Sequence, residues 1–206
     1  MNLLFRLILM AFLGAVLGAL SALWFGGLIS GAPNISKGVD VNGWSSDWAI
    51  GSENANPYVR ARVARNGLFA LRKEEAVYFV ATTDDDGARL VETCTYRVSG
   101  GPFPAAWWSI TLYDGDSRLP MNTDQRLSFD QTQAAGKFQS PNQDWQFQVS
   151  ASAPETAAMP WVSSRSAGTF DLTLRLYQPS AALLSAPNDV LRPPRIERVT
   201  CGPGAT

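Results

Sequence analysis

Leu7 to Ile29 is a run of 23 residues without a charge, and no other feature of the sequence constrains the chain more. As a helix rising about 1.5 Å per residue it would be roughly 35 Å long, against a hydrocarbon core about 30 Å thick. It is therefore expected to form a single transmembrane anchor over residues 1–31, followed by a linker over 32–54 and a folded domain over 55–206. The other source of such a run is a cleaved signal peptide, whose apolar core is shorter, about 7–15 residues, and is followed by small residues. Ala19-Leu20-Ser21 before Ala22 has the composition of a cleavage site but lies inside the run. Arg6 precedes the run, and no basic residue follows it before Lys37. The positive-inside rule then puts the N-terminus in the cytoplasm and the rest of the chain outside. The expected location is the bacterial cytoplasmic membrane, with the domain in the periplasm.

Small residues recur in the run at Ala11, Gly14, Ala15, Gly18, Ala19 and Ala22, at spacings that share one helical face. Gly14 and Gly18 form the centre of that face. A GxxxG surface lets two helices approach closely in lipid, so self-association is one expectation. The plainer reading is that Gly and Ala are common in membrane helices.

The composition excludes several functions. The chain has no histidine, which removes Ser-His-Asp and Cys-His nucleophile systems and His-ligated zinc. A net charge of −1 does not suit a nucleic-acid binder. No catalytic residue, metal or cofactor is expected. The only cysteines, Cys94 and Cys201, each lie in a strand-like stretch. An even count on the oxidising side of a membrane is read as a disulfide. Closing so long a loop is worth about 4–5 kcal/mol in the chain-entropy picture.

Along the exported part, Gly31 to Gly51 reads as a linker whose second half, with Trp44 and Trp48, docks on the domain or at the bilayer interface. Asn56-Pro57 is a helix start. The helix carries a stripe of Arg62, Arg65 and Arg72, read either as a solvated face or as a polyanion contact. Thereafter the period changes to two. Ala76 to Thr83 is an expected strand. Asp84-Asp85-Asp86-Gly87 is a hairpin turn, and Leu90 to Val98 is the returning strand. Further strands are expected over 107–113, 126–129, 145–150, 170–177 and 195–201. In Phe170 to Tyr177, Phe170, Leu172, Leu174 and Leu176 take one face and Asp171, Thr173, Arg175 and Tyr177 the other. Strands at short spacing with Gly/Pro turns imply a mainly β domain, an antiparallel, jelly-roll-like β-sandwich preceded by one helix.

Two aspartate groups, Asp84-Asp85-Asp86 and Asp114 with Asp116, could offer oxygens to calcium; neither has EF-hand spacing, and plain turns account for both. A more promising set joins Tyr78, Trp108, Tyr113, Asn122, Arg126, Arg175 and Tyr177. If these converge, arginine would fix an anionic or sugar-like group over an aromatic floor. The structural reading pairs the arginines with acids such as Asp114.

Several stretches, in order, resemble the family catalogued as domain of unknown function 1214. They are Tyr58 with Arg62-Val63, Glu75-Ala76-Val77-Tyr78 and Asp86-Gly87. Trp108-Ser109-Ile110-Thr111-Leu112-Tyr113-Asp114, Asn122 and Arg126 follow. The last are Phe170, Leu174-Arg175-Leu176-Tyr177 with Pro179, and Pro193-Pro194. The resemblance covers residues 55 to 200 and implies a β-sandwich. In many relatives a companion domain, of unknown function 1254, comes first; here a membrane anchor is expected in its place. Pro160-Trp161-Val162-Ser163 stands where the family usually shows an Asn-Trp-Leu-Pro-like turn. The function expected is an anchored envelope module that binds a ligand or protein. The alternatives are a hydrolase or lyase using carboxylate, arginine and tyrosine, and a structural subunit assembled through the membrane helix.

Overall fold

Leucine alternation in the last long strand organises the β-rich part of the chain. In the computed structural model, which describes residues 3–26, 38–51, 56–65, 71–135, 144–154 and 159–202, that strand is Phe170–Pro179. The chain forms two units by contact: residues 1–37 with 48–70, and residues 38–47 with 71–206.

The first unit contains α1 (Leu3–Phe25) and α2 (Pro57–Arg65). α1 is long and apolar enough to cross a membrane, as an anchor or a signal sequence can be. It starts earlier than the uncharged run, so Arg6 lies within its first turns. A Cβ added at Gly14 or Gly18 would meet nothing within 4 Å. The side chains of Arg62 and Arg65 lie outside the described residues. At the start of α2, Asn56 Oδ1 accepts from the Tyr58 amide at 2.8 Å, as expected of an N-cap residue before proline.

Among the described residues the second unit contains ten strands in two sheets. In chain order they are β1 (Gly38–Val41), β2 (Trp44–Asp47), β3 (Ala76–Ala81), β4 (Cys94–Gly100), β5 (Ala105–Asp114), β6 (Ser128–Asp130), β7 (Trp145–Ser150), β8 (Trp161–Ser163), β9 (Phe170–Pro179) and β10 (Arg195–Cys201). Short helices α3 (Gln131–Ala134), α4 (Ala181–Ser185) and α5 (Pro187–Val190) fill connections. The six-stranded sheet has the order β1-β2-β3-β9-β5-β6 and the four-stranded sheet β10-β4-β7-β8.

Three expectations change. The stretch read as a linker contains β1 and β2, because the Asn42-Gly43 turn, with both residues at positive φ, closes a tight hairpin whose Trp44 is buried. The strand after the Asp-Gly turn does not return beside β3. The chain makes one bridge, Thr83 with Arg89, then crosses to the other sheet as β4. Finally, β7 and β8 run parallel, so the four-stranded sheet is mixed rather than antiparallel.

The inner faces meet in an aromatic seam. Trp108 of β5 lies 4.7 Å from Trp145 of β7, Phe129 of β6 lies 4.7 Å from Phe147 of β7, and Tyr96 of β4 meets Phe170 of β9 edge-on at 5.8 Å. Polar ties hold the crossings. The buried Asp84 carboxylate accepts from the amides of Asp86 and Ala88 and pairs with Arg198 at 2.6 Å. Asp85 takes the Ile196 amide at 2.8 Å and pairs with Arg195 at 3.1 Å. These aspartates therefore bind the crossing loop to β10. Cys94 and Cys201 occupy paired register positions at disulfide distance, with Cα atoms 4.0 Å apart.

Trp145 is fixed by its Nε1–H donating to the Gly101 carbonyl at 2.8 Å, and its ring lies against Gly100. A Cβ at residue 100 would come within 2.5 Å of that ring. Gly100→Ala is therefore expected to destabilise the domain by about 1–3 kcal/mol through overpacking, measured by urea unfolding followed by tryptophan emission.

Candidate functional site

The outer face of the six-stranded sheet follows from strand parity. β9 lies between β3 and β5, with Arg175 opposite Tyr78 on one side and Ser109 on the other. Leu172, Leu174 and Leu176 are buried inward, so Asp171, Thr173, Arg175 and Tyr177 stand outward and half-buried. The same parity in β5 turns Trp108, Ile110 and Leu112 inward and Trp107, Thr111 and Tyr113 outward.

Arg175 is at the centre of this face. Its Nη1 donates to Thr111 Oγ1 at 2.8 Å and its Nη2 to the Tyr113 hydroxyl. The guanidinium carbon also lies 5.3 Å from the Tyr113 ring centroid, within cation–π range. Among the described residues no carboxylate pairs with it. A half-buried arginine held only by hydroxyls keeps its full charge and part of its donor capacity for another group.

The surrounding ionisable groups reflect this crowding. Burial raises the Tyr78 phenol above its ordinary value, Tyr177 and Tyr113 raise it further, and Arg175 opposes them. Burial also raises the Asp171 carboxyl; the Thr173 hydroxyl, donating at 3.0 Å, and the Arg89 and Arg175 charges pull it back, while Asp114 pushes it up.

Towards one end of the face, Trp107 and Tyr177 are cross-strand partners with ring centroids 5.3 Å apart. Trp107 is 36% exposed and Leu71 37%. With Glu74, Glu75, Ala106 and Gln178 they line an open depression of about 490 Å³. The turn beneath it is fixed by Glu75, whose Oε2 accepts the Arg72 amide at 2.9 Å and whose carbonyl accepts the Gln178 amide at 2.9 Å. Glu74 is exposed at the rim.

Of the seven residues singled out in the sequence, Tyr78, Tyr113, Arg175 and Tyr177 share this face. Trp108 does not. It is 4% exposed and belongs to the aromatic seam, because it has the parity of Ile110 and Leu112. Asn122 and Arg126 belong to the segment before β6. Asn122 Nδ2 donates to the Arg165 carbonyl at 2.8 Å and its Oδ1 accepts the Asp124 amide, so its amide closes loops. Arg126 offers its carbonyl to Ser163 at 2.6 Å while its side chain is exposed. Among the described residues the Arg175 guanidinium hydrogen-bonds to Thr111 and Tyr113, not to either of these. Trp107, Thr111 and Glu74 were missed. Parity alone would have exchanged Trp108 for Trp107; Thr111 and Glu74 need the register of β9 against β5 and β3. The expected pairing of Arg175 with Asp114 does not occur: Asp114 Oδ1 accepts the Asp116 and Arg118 amides in its own turn.

A family model described as a protein of unknown function (DUF1214) matches residues 75–181, just over half of the chain. The chain belongs to this family. Among solved structures, it resembles the VPA0106 protein from Vibrio parahaemolyticus with a TM-score of 0.55 and 20% identity, over 71% of this chain and 36% of that one. It therefore spans about a third of that protein's length, and the likeness concerns fold alone. An uncharacterised protein from Burkholderia cenocepacia matches at 20% identity and a TM-score of 0.39, over 64% of this chain and 31% of that one. No curated protein sequence matches the chain.

The raised Asp171 carboxyl has a thermodynamic consequence. The folded state binds this proton more tightly than the unfolded state does, so the group favours folding at low pH and loses that contribution as pH rises through the carboxylate range. Asp171→Asn is expected to raise the melting temperature at neutral pH, with the gain vanishing below the ordinary value of 3.8. Paired thermal melts across pH check both the sign and the window.

Proposed function

We propose that this chain is a membrane-anchored module whose two sheets pack as a β-sandwich in the bacterial periplasm, and that it captures an anionic ligand on the outer face of the six-stranded sheet. The observation that carries this reading is Arg175, a half-buried guanidinium held by Thr111 and Tyr113 without a described carboxylate partner. Burying part of a charge is costly unless something pairs with it, and an anion satisfies it with charge-assisted hydrogen bonds. Tyr78 and Tyr177 add hydroxyls that both donate and accept. The anchored topology is supported by the apolar helix and by Arg6 as the only basic residue before Lys37. Cys94 and Cys201 at disulfide distance suit an oxidising compartment.

Two experiments test the reading. In the first, glucuronate and inorganic phosphate are titrated into ¹⁵N-labelled full-length protein in detergent micelles, and the arginine Nε–H resonances are followed. The Arg175 resonance, assigned by its loss in Arg175→Ala, is expected to shift. The variant should bind about ten-fold or more weakly and melt close to wild type. A melt lowered by many degrees would make Arg175 a structural residue instead. In the second, alkaline phosphatase fused after Thr206 should be active, and protein taken from native envelopes should show no alkylatable thiol without reduction. An inactive fusion reverses the topology, and two alkylated cysteines end the disulfide assignment.

A further inference from the structure

The depression beside Arg175 narrows the ligand further. Resting on the outer-face reading above, we infer that the ligand is an acidic saccharide of two or more units: one sugar ring stacks on Trp107 and Tyr177, its hydroxyls meet Glu74 and Gln178, and a neighbouring unit's carboxylate binds Arg175.

Three requirements point to this class. The exposed Trp107 ring, with Tyr177 at 5.3 Å and Leu71 beside it, asks for a flat, partly apolar surface. The C–H face of a pyranose is one. Glu74, as a carboxylate, can only accept hydrogen bonds, so the ligand must bring donors to the rim. Arg175 can only donate, so the ligand must bring an acceptor, preferably charged. A saccharide with a carboxylate meets all three demands in one molecule. An acyl chain or apolar peptide would cover Leu71 and Trp107 but offer nothing to Glu74 or Arg175. A polyphosphate would suit Arg175 but set several negative charges against Glu74 and Glu75.

Register fixes the length. Tyr177 pairs with Ala76 and Arg175 with Tyr78. Glu74 lies in the turn before β3, four residues ahead of Tyr78, so at most roughly 13 Å of backbone separates the acidic rim from the guanidinium. A stacked sugar with an adjoining acidic unit spans such a distance.

The test uses full-length protein in detergent micelles, with trigalacturonate and maltotriose titrated separately by calorimetry and tryptophan emission. Wild type is expected to bind trigalacturonate about ten-fold or more tightly than maltotriose, and Arg175→Gln to remove that preference. Trp107→Ala, at an exposed position, should weaken both trisaccharides by about ten-fold or more, with an unchanged melt certifying the fold. If neither trisaccharide binds while glucuronate or phosphate still shifts the Arg175 resonance, the saccharide inference is overturned and the anion reading stands. If the small anions also fail, both fall. Trp107→Ala binding trigalacturonate as wild type does would overturn the stacking role and the inference with it.

Discussion

β9 has to satisfy two neighbours at once. It is paired along most of its length with β3 on one side and β5 on the other, so its backbone is saturated and its register is fixed from both sides. Every inward residue from Phe170 to Leu176 is then a core residue. A slip of one position would bury Asp171, Thr173 and Arg175 and expose three leucines. The same constraint creates the outer face: Arg175 stands between Tyr78 and Ser109, and its guanidinium is held by Thr111 and Tyr113.

Two of the stretches that carry the family resemblance are partners in this arrangement. Trp108 to Asp114 lies against Phe170 to Leu176, with Trp108 opposite Leu176 and Leu112 opposite Leu172. The matched region, residues 75–181, takes in β3 through β9. β1, β2 and β10 lie outside it; pairing of β2 with β3 and of β10 with β4 joins them to it, and side chains tie them further, to it or to one another. Trp44 of β2 donates to the Pro194 carbonyl at 2.9 Å, Arg198 of β10 pairs with Asp84, and Cys201 stands opposite Cys94.

Alternation made the faces of β9 legible in the sequence, and the turn residues placed most strands to within a few positions. Periodicity reports which side of a strand is buried, but not which strand lies beside it. That is why Leu90 to Val98 read as the return of a hairpin, although its strand starts at Cys94 and pairs with β10 and β7. It is also why Gly38 to Asp47 read as linker: two four-residue strands carry too little pattern, and only the burial of Trp44 against β3 shows where they belong. In the candidate site, Arg175 and Tyr177 followed from parity. Trp108 went astray because its chemistry was weighed without its parity. Asn122 was chosen for its amide, which is used on the Arg165 carbonyl.

The carboxylates near Arg175 explain why its charge remains available. Asp171 shares its strand and face four residues away, and its carboxylate accepts from the intervening Thr173 hydroxyl. Asp130, opposite Ser109, caps α3 by accepting the Gln133 amide at 3.0 Å. Asp114 holds the turn from 114 to 118. Each acid is committed to a local backbone or hydroxyl group, so none neutralises the guanidinium directly. A paired charge is far cheaper to half-bury than an unpaired one. The fold instead orients Arg175 with two hydroxyls, which fix the guanidinium plane without cancelling its charge. That is the arrangement the proposed anion site requires: donors positioned before a ligand arrives, with little side-chain freedom left to lose on binding.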